Sequence, residues 1–365
     1  MKVKLKDVAS FSKGQQINGD DLLPSANYAY LNGGISPSGY WNEYNIPANS
    51  IAISEGGNSC GYVNYMQSPF WCGAHCYYLF DLKISNTKYL YYALKARQDD
   101  IMKLRSGACM PNIKKSDLGE LAFEFDFDDD HQTIVVDQLE RVERMIALRK
   151  QQLSKLDELV KSRFVELFGD PVCNSKNLIL SPLNDVCTKI TDGTHDTPPR
   201  YDSGYLLITG KNIRSSGIIF DDVEFVSEED HKIIYSRCNP EYGDVLYTNI
   251  GVNYGTACYN NLDYEFSMKN VALLKPNHRL VNGYYLWECL NIMRNHILSM
   301  NQVGGAQTFM GLANIKKIII PVPPIELQKQ FAAFVGQVDK SKLEIQRSLE
   351  KLETLRKALM QQYFG

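Results

Sequence analysis

Two stretches of this chain, residues 139–169 and 335–365, have the same length and amphipathic pattern, and each ends in phenylalanine followed by glycine. They align without a gap at an offset of 196 residues. Matched length, pattern and ending would be a rare coincidence in two unrelated surface helices, so an internal repeat is predicted. A repeat of this kind constrains the possible folds more than any single motif does.

Both stretches show the apolar spacing of a coiled coil, in alternate steps of three and four residues. The apolar positions of this seam are Leu139, Val142, Ile146, Leu153, Leu156, Val160, Leu167, Val335, Val338, Ile345, Leu349, Leu352 and Leu359. A helix of this length extends about 45 Å, which exceeds one side of a small globular core. The burial partner of each helix is therefore predicted to be the other copy.

Short motifs upstream of the helices extend the repeat. The segment NIKK occurs at residues 112–115 and again at 314–317. Each copy follows a loop of small residues, at 106–110 in the first half and at 304–308 in the second. We predict that these segments are equivalent, so that the duplication covers more than the helices.

A glycine-containing turn also occurs twice. Residues 50–61 (SIAISEGGNSCG) align with 244–255 (DVLYTNIGVNYG), as an apolar strand, a polar turn and two glycines at identical spacing. Gln132 near the first helix likewise corresponds to Gln328 near the second. The two halves are therefore predicted to share one scaffold.

The offset between the halves is smaller near their start. LKDVAS at residues 5–10 resembles LNDVCT at 183–188, only 178 residues later. We expect the additional residues of the second half in TDGTHDTPPRYDS, residues 191–203, because its Gly, Pro and Asp content indicates an added loop. Shared scaffold elements with divergent polar loops indicate one architecture that presents two different surfaces.

Composition indicates a folded protein with room for two domains of ordinary size. The sequence opens without a basic, apolar signal peptide. Its longest uncharged run, residues 56–80, is interrupted by Gly, Asn, Ser, Gln and Pro, so no membrane span is expected. The 9 cysteines are an odd number and are predicted to be reduced thiols. A cytoplasmic location is therefore predicted.

The charge balance does not indicate a nucleic-acid partner. The chain has 39 Lys and Arg against 42 Asp and Glu, and neither globular half is basic. Because phosphate neutralisation supplies most non-specific DNA affinity, composition alone weakens a DNA-binding hypothesis. The balance fits a protein that contacts bases while another subunit contacts much of the backbone.

Catalytic motifs are scarce. Cys72, His75 and Cys76 (CGAHC) suggest zinc, but no second ligand pair follows closely, so a half-buried strand is favoured and no metal is predicted. Residues 239–242 (NPEY) have Glu where an adenine methyltransferase motif requires a second proline. No Walker, HExxH or GxSxG motif occurs. His195 lacks an accompanying nucleophile, so no catalytic residue is predicted.

Polar side chains suited to base edges and phosphates gather in the loops of both halves. In the first half the candidate DNA-binding residues are Ser36, Ser38, Tyr40, Trp41, Asn58, Ser59, Tyr62, Asn64, Arg105 and Asn112. In the second half they are Thr194, His195, Thr197, Arg200, Lys211, Asn212, Arg214, Asn249, Asn253, Tyr254 and Gln307. For any single member, simple solvent exposure is the commoner explanation.

Four segments are similar in sequence to a known family. They are TDGTHDTPP at residues 191–199, LLITGKNIR at 206–214, YGDVLYTNIGVNYG at 242–255 and IIIPVPPIELQ at 318–328. With the repeat, they make nearly the whole chain resemble the DNA specificity subunit of Type I restriction-modification systems. The first domain matches less well, since FEFDFDDDHQ at 123–132 replaces the usual proline-rich start of the helix.

The resemblance implies an α+β fold in which two long helices form an antiparallel coiled coil and separate two globular target-recognition domains, with a pseudo-two-fold internal repeat. The implied boundaries are 1–135 for the first recognition domain, 136–170 for the central spacer helix, 171–330 for the second recognition domain and 331–365 for the C-terminal spacer helix. The acidic run at 126–130 is predicted to be a solvated linker whose charge also suits the positive end of the following helix.

The resemblance also implies a function without catalysis in this chain. Each recognition domain would bind one half of a bipartite site in double-stranded DNA, and the helices would fix the gap between the halves. Two modification (methyltransferase) subunits, which use S-adenosylmethionine, would dock on the helices. Restriction subunits, translocases that use ATP and Mg, would join them, and this chain would hold no cofactor.

Two other functions compete with this one. The first alternative is a DNA methyltransferase or nuclease in its own right, which the missing motifs argue against. The second is a protein-interaction scaffold that uses the same loops. Methyl transfer to DNA by this chain alone would support the first of these alternatives.

Overall fold

The computed structural model describes residues 1–107, 111–251, 253–300 and 309–365. Contacts between Cα atoms divide the chain into two compact units. Unit 1 comprises Met1–Lys150 together with Arg347–Gly365, and unit 2 comprises Gln151–Gln346. The small-residue loop predicted at 106–110 lies partly outside the described residues, and the loop at 304–308 lies wholly outside them.

Most elements follow the same order in the two halves of the chain, and among the described residues the second half has three more. The first half contains β1 (Lys2–Lys4), α1 (Leu5–Val8), β2 (Ser10–Lys13), β3 (Tyr28–Leu31), β4 (Gly39–Trp41), β5 (Ser50–Ser54), β6 (Val63–Met66), β7 (Phe70–Cys72), β8 (Cys76–Phe80), α2 (Thr87–Ala96), α3 (Gln98–Lys103), α4 (Lys115–Gly119), β9 (Ala122–Glu124) and α5 (Asp129–Phe168). The second half contains β10 (Ile179–Pro182), α6 (Leu183–Val186), β11 (Cys187–Asp192), β12 (Tyr205–Thr209), β13 (Ile213–Arg214), β14 (Gly217–Ile218), β15 (Glu224–Val226), α7 (Glu228–Arg237), β16 (Val245–Tyr247), β17 (Ala257–Tyr259), β18 (Ser267–Lys269), β19 (Ala272–Pro276), α8 (Gly283–Ile292), α9 (Arg294–Met300), α10 (Leu312–Lys316), β20 (Ile319–Val322) and α11 (Ile325–Phe364).

In unit 1 an antiparallel four-stranded sheet has the order β2-β8-β5-β6. A second sheet has the order β4-β3-β7, in which β3 pairs with β4 antiparallel and with β7 parallel. Strands β1 and β9 form a two-stranded ribbon. The core lies between the larger sheet and α2, where Leu5, Ile51 and Leu90 are fully buried.

Unit 2 repeats this topology. Its four-stranded sheet has the order β11-β19-β16-β17, and its mixed sheet has the order β15-β12-β18 with β12 and β18 parallel. Strands β10 and β20 form the ribbon. Helices α2 and α8 begin at equivalent N-caps, since the side chains of Asn86 and Asn282 accept backbone hydrogen bonds from the first turn.

The additional residues of the second half lie elsewhere than predicted. Gly14 and Gly193 are equivalent, because both N–H groups bond at the start of the matching strands β8 and β19. Gly33 and Gly210 are equivalent too, since both carbonyls accept from a side chain in the turn after β5 or β16. The stretch 191–203 is therefore not an insertion. The extra residues lie between β12 and β16 and form the hairpin β13–β14 and helix α7.

The predicted equivalence of the two NIKK segments is wrong. In unit 1 the N–H of Ile113 donates to the Glu55 carbonyl at 2.9 Å, and in unit 2 Met310 donates the matching bond to Asn249 at 2.9 Å. The second NIKK lies largely within α10, which corresponds to α4 because each precedes the last strand of its half. Four identical residues at these two places are a coincidence.

The long helices α5 and α11 each have 40 residues. They begin at 129 and 325, earlier than the predicted 136 and 331. The acidic run at 126–130 is therefore more than a linker, because Asp128 accepts the N–H groups of Asp130 and His131 at 3.0 and 3.1 Å. This capping carboxylate and the acidic first turn suit the positive end of the helix dipole.

Within each unit, segments of the two long helices pair antiparallel. In unit 1 Tyr363 donates to Gln138 at 2.9 Å, and Lys150 forms an ion pair with Glu353 at 3.5 Å. In unit 2 Lys342 pairs with Asp157 at 2.6 Å, while the rings of Phe164 and Phe331 lie 5.6 Å apart. The predicted α+β fold with an internal repeat and antiparallel long helices is confirmed.

The predicted seam residues are all buried or half-buried. Their partners differ along the helices. Leu139 belongs to the core of unit 1, and Val160, Val335 and Val338 belong to the core of unit 2. The ends of the helices therefore complete the globular cores, and pairing with the other helix accounts for only part of their burial.

Candidate nucleic-acid interface

In unit 2 the loop after β11 is held against the turn between β18 and β19. Gly193 is required there, because an added Cβ would lie 2.1 Å from the carbonyl oxygen of Met268. Thr194 then donates its backbone N–H to the same carbonyl at 2.9 Å. Gly14 has the same role in unit 1, where a Cβ would lie 1.9 Å from the Cys72 carbonyl oxygen.

His195 uses both of its ring nitrogens within this loop. Nδ1 lies 2.9 Å from Asn270 Oδ1, and Nε2 lies 2.8 Å from the buried carboxylate of Asp192. The hydrogen bond to Asn270, followed by the Asp192 carboxylate, raises the pKa of His195 despite partial burial. Asp192 also accepts from Arg237. With both nitrogens occupied, His195 is suited to positioning the loop and not to proton transfer.

Next to His195 a cavity of about 360 Å³ brings five separate segments together. We call its polar lining the basic cleft, which consists of Arg200, Lys211, Asn253, Lys269 and Asn270. Three of these residues were candidates from the sequence, whereas Lys269 and Asn270 were missed. A sequence signal for them exists, since the polar pair Lys-Asn directly before the apolar run VALL is typical of a turn. In the structure Asn270 has a φ of 54°, as a turn residue can.

Two cations of the basic cleft are held by the carboxylates of Glu224 and Asp222, since Lys211 also pairs with Asp222 at 3.0 Å. Arg200 donates to Glu224, and Lys211 lies 3.2 Å from the same carboxylate. Partial burial raises the pKa of Glu224, but hydrogen bonds from Lys211 and Arg200 outweigh it and lower the pKa below the ordinary value. Lys269 instead donates to the hydroxyl of Thr197. The cleft therefore presents ordered donors with only partly compensated charge.

Several predicted contact residues of unit 2 are buried or bonded within the unit. Asn212 is fully buried, and its Oδ1 accepts from the backbone and the hydroxyl of Thr209 at 3.1 and 3.0 Å. Asn249 and Tyr254 are 1% and 6% exposed. These three side chains are buried within unit 2, and their assignment as DNA contacts stays a prediction. Arg214 is half-buried and donates to the carbonyl groups of Lys211 and Ile213.

In unit 1 three polar loops meet at one edge. Ser59 in the turn after β5 donates to the Gly33 carbonyl at 2.9 Å, and Gly57 N–H donates to the Pro111 carbonyl at 3.0 Å. Ser106 and Asn112 bond to each other through both backbone groups. Residues 32–38, 55–61, 105–107 and 111–112 therefore form one surface within unit 1, which we call the loop edge.

The predicted DNA-binding residues of unit 1 differ in the exposure of their side chains. Exposed side chains are Ser36, Ser38, Tyr40, Asn58, Arg105 and Asn112. Half-buried side chains are Trp41, Ser59, Tyr62 and Asn64. Tyr62 lies beneath the Lys95 ammonium group, 3.6 Å from the ring centroid, so its ring is engaged in packing. Gln307, predicted in the second half, lies outside the described residues.

The CGAHC segment is a strand end followed by a turn. Cys72 and Cys76 are fully buried, and their thiols donate to the carbonyl groups of Cys76 and Ile53 at 3.4 Å. The side chain of His75 is mostly exposed, 3.6 Å from Glu55. Within the described ranges, no group of three or more His, Cys, Asp or Glu side chains is placed to hold a metal ion.

Two units with one topology, and different polar loops at equivalent edges, match a family defined by DNA recognition. A family profile described as Type I restriction modification DNA specificity domain matches residues 1–158 and 179–354. The chain belongs to this family. The two matched segments coincide with the two halves of the repeat, so each half is one copy of the specificity domain.

Curated relatives of this specificity-domain chain come from mycoplasmas. A type I specificity subunit of Mycoplasma pneumoniae is 38% identical over 122 residues, which cover 33% of this chain and 32% of that protein. One of Mycoplasma genitalium is 34% identical over 158 residues, covering 42% of this chain and 41% of that protein. The alignments thus span less than half the length of either relative.

Solved structures show the same fold. A crystal structure of a Type-I restriction-modification system S subunit from M. genitalium has a TM-score of 0.70 at 21% identity, over 100% of this chain and 96% of that one. A structure from work on complex assembly of a type I R-M system has a TM-score of 0.55 at 15% identity, over 99% and 96%.

No helix in the described part of this specificity-domain chain combines the length and apolarity needed to cross a membrane.

Proposed function

We propose that this chain is the DNA specificity subunit of a Type I restriction-modification complex and binds a bipartite site, one half-site per unit. The observation that carries the proposal is the contrast between scaffold and loops. Units 1 and 2 share strand order and pairing, yet the loop edge and the basic cleft present different side chains. Two domains with the same fold but different surface side chains are suited to recognising two different half-sites in double-stranded DNA.

The basic cleft is the better developed of the two surfaces. Arg200, Lys211 and Lys269 supply donors for phosphate oxygens or guanine edges, and Asn253 is suited to the edge of adenine. In unit 1 the exposed Asn58 and Arg105 at the loop edge have the same chemistry. The length of the long helices sets the number of base pairs between the half-sites.

The proposal assigns catalysis to partner subunits. Two modification subunits, which bind S-adenosylmethionine, dock on the long helices and methylate adenine. Restriction subunits, which use ATP and Mg, join that complex in the cytoplasm. The net charge of −3 fits this division, because partners that close around the DNA supply phosphate contacts that this chain lacks.

A methyl-transfer assay separates the proposal from its enzymatic alternative. The purified chain and its modification subunit are tested separately and together on genomic DNA with labelled S-adenosylmethionine. We expect transfer at specific sites only from the mixture. Transfer by this chain alone would contradict the proposal. A complex that methylates DNA without any sequence preference would favour the interaction-scaffold alternative.

A further inference from the structure

A cavity of about 550 Å³ in unit 1 is lined by cations from two elements. Lys95 and Arg97 come from the end of α2 and the residue after it, and Arg356 and Lys357 come from α11. Glu143 of α5 is the one acidic side chain among its described lining residues. The four cations outnumber the acidic side chains of this lining, in a chain whose overall balance is acidic.

The positive charge is not neutralised within the unit. Glu143 accepts the hydroxyl hydrogen bond of Tyr92 at 2.8 Å. Among the described residues, the side chains of Arg97, Arg356 and Lys357 form no ion pair or hydrogen bond. Lys95 donates to the Val63 carbonyl and to Gln98 at 3.1 and 3.0 Å, again without a carboxylate. Burial, with a contribution from Arg356, lowers the pKa of Lys95 to about 8.

The repeat shows that the fold does not require this charge. The positions of unit 2 that correspond to Lys95, Arg97, Arg356 and Lys357 are Asn291, Met293, Val160 and Lys161. Three of the four cations are therefore replaced by uncharged residues. The surrounding aromatic packing is nevertheless kept in both units, at Tyr89 with Phe364 and at Tyr285 with Phe168. Because most of this basic cluster is missing from unit 2, ligand binding explains it better than a contribution to the stability of the fold.

The cavity lies next to the loop edge of unit 1. Gln98, which accepts from Lys95, donates to the Gly61 carbonyl at 2.6 Å, and Lys95 covers the ring of Tyr62. The turn that carries Asn58 thus ends against the wall of the cavity. An anion in the cavity would lie beside the surface proposed to contact bases.

We propose that Arg97, Arg356 and Lys357 bind backbone phosphates of the DNA next to the half-site of unit 1. This inference rests on the proposed function. The equivalent cavity of unit 2 is lined by Lys161, Arg294 and Lys342, but there Lys342 pairs with Asp157 and Arg294 donates to the Tyr254 carbonyl. The contact is independent of sequence, since these side chains recognise phosphate oxygens and not base edges. It positions the loop edge on the duplex and adds to the salt dependence of DNA binding by unit 1.

The test measures the salt dependence of binding by the assembled complex with its modification subunit. Binding to the methylation target and to an unrelated duplex is followed by fluorescence anisotropy at several salt concentrations. The variant R356A/K357A is compared with the wild type and with K340A/K351A, which removes the same charge from exposed positions of the same helix outside the cavity. The variant R356K/K357R keeps both charges.

Each phosphate contact contributes about 0.9 to the slope of log affinity against log salt. We therefore expect R356A/K357A to reduce the magnitude of this slope by about two on both duplexes, with an unchanged target preference. The variants K340A/K351A and R356K/K357R should retain the wild-type slope. Equal losses in R356A/K357A and K340A/K351A, or loss of the modification subunit in R356A/K357A, would overturn the inference. A wild-type complex without target preference would instead refute the proposed function.

Discussion

The aromatic ring of Phe364 lies 5.0 Å from that of Tyr89 in the core of unit 1, although 275 positions separate the two residues in the chain. Phe168 and Tyr285 form the equivalent pair in unit 2, with centroids 4.8 Å apart. Each globular core is thus completed by the last turn of a long helix. The phenylalanine that precedes the final glycine of each repeat belongs to a core and not to the coiled-coil seam.

The first prediction concerns these closing rings. Phe364→Ala should destabilise unit 1 by about 3 to 5 kcal/mol, because a large buried ring leaves a cavity when truncated. Phe168→Ala should do the same to unit 2. Hydrogen–deuterium exchange should rise selectively in α2 for the first variant and in α8 for the second. Phe220→Ala, whose ring is 45% exposed, is the control. Uniform exchange changes in both units would contradict separate cores.

The second prediction concerns the buried carboxyl of Glu288 in α8. Its side chain is 3% exposed, and its Oε1 lacks a hydrogen-bond partner among the described residues. Burial raises the pKa of Glu288 from 4.5 to about 7. Since the protonated form is preferred in the folded state, its contribution to stability is complete below pH 4.5 and is lost as the pH rises through about 7. At about 1.4 kcal/mol per pKa unit, the loss is about 3 kcal/mol.

Glu288→Gln should therefore raise the melting temperature at pH 8 and leave it nearly unchanged at pH 4.5. Thermal unfolding across this range measures the difference. Glu344→Gln, at an exposed position of α11, is the matched control and should have no such effect. Parallel pH profiles for wild type and Glu288→Gln would contradict the assignment.

The third prediction concerns His195. Because its pKa is raised by Asn270 and Asp192, its hydrogen bonds are complete below the ordinary value of 6.5 and are lost as the pH rises through the raised value. We expect the methylation rate at the half-site of unit 2 to fall more steeply with pH in the wild type than in His195→Gln. The bases recognised should not change. An altered half-site would show that His195 contacts a base directly.

Some features of the fold were accessible from the sequence because repetition makes them visible. The seam residues, the paired glycine turns and Gln132 with Gln328 recur at fixed spacing. The predicted equivalence of the NIKK segments was wrong, because a match of only four residues can arise by chance between segments that are not equivalent. The predicted position of the extra residues was wrong, because hairpin β13–β14 and α7 have no counterpart among the described residues of unit 1 with which they could be aligned.

The residues of the candidate site were harder to predict from the sequence than the fold, for a physical reason. Asn212 and Asn249 have side chains that are chemically suited to DNA, but burial depends on strands distant in sequence. Lys269 and Asn270 join the basic cleft only because the β18–β19 turn lies beside the loop after β11. The cations of the unit 1 cavity come from α2 and α11, which no local pattern brings together.

A fourth prediction tests the long helices as a ruler. Seven residues are inserted into α5 after Lys155 and seven into the facing part of α11 after Glu344, which preserves the heptad pattern of the seam. The insertion adds about 10 Å of helix. The gap between half-sites should lengthen by up to about three base pairs, at about 3.4 Å per base pair, with both half-sites unchanged. Altered half-site bases would contradict the ruler function.

The central claim is tested most directly by mapping adenine methylation across the genome of a host that co-expresses this chain with its modification subunit. The bipartite account predicts methylation at a split motif with a fixed gap. Exchange of residues 191–214 for those of a relative should change only one half of that motif. Methylation at a contiguous motif, or no sequence-dependent methylation, would contradict it.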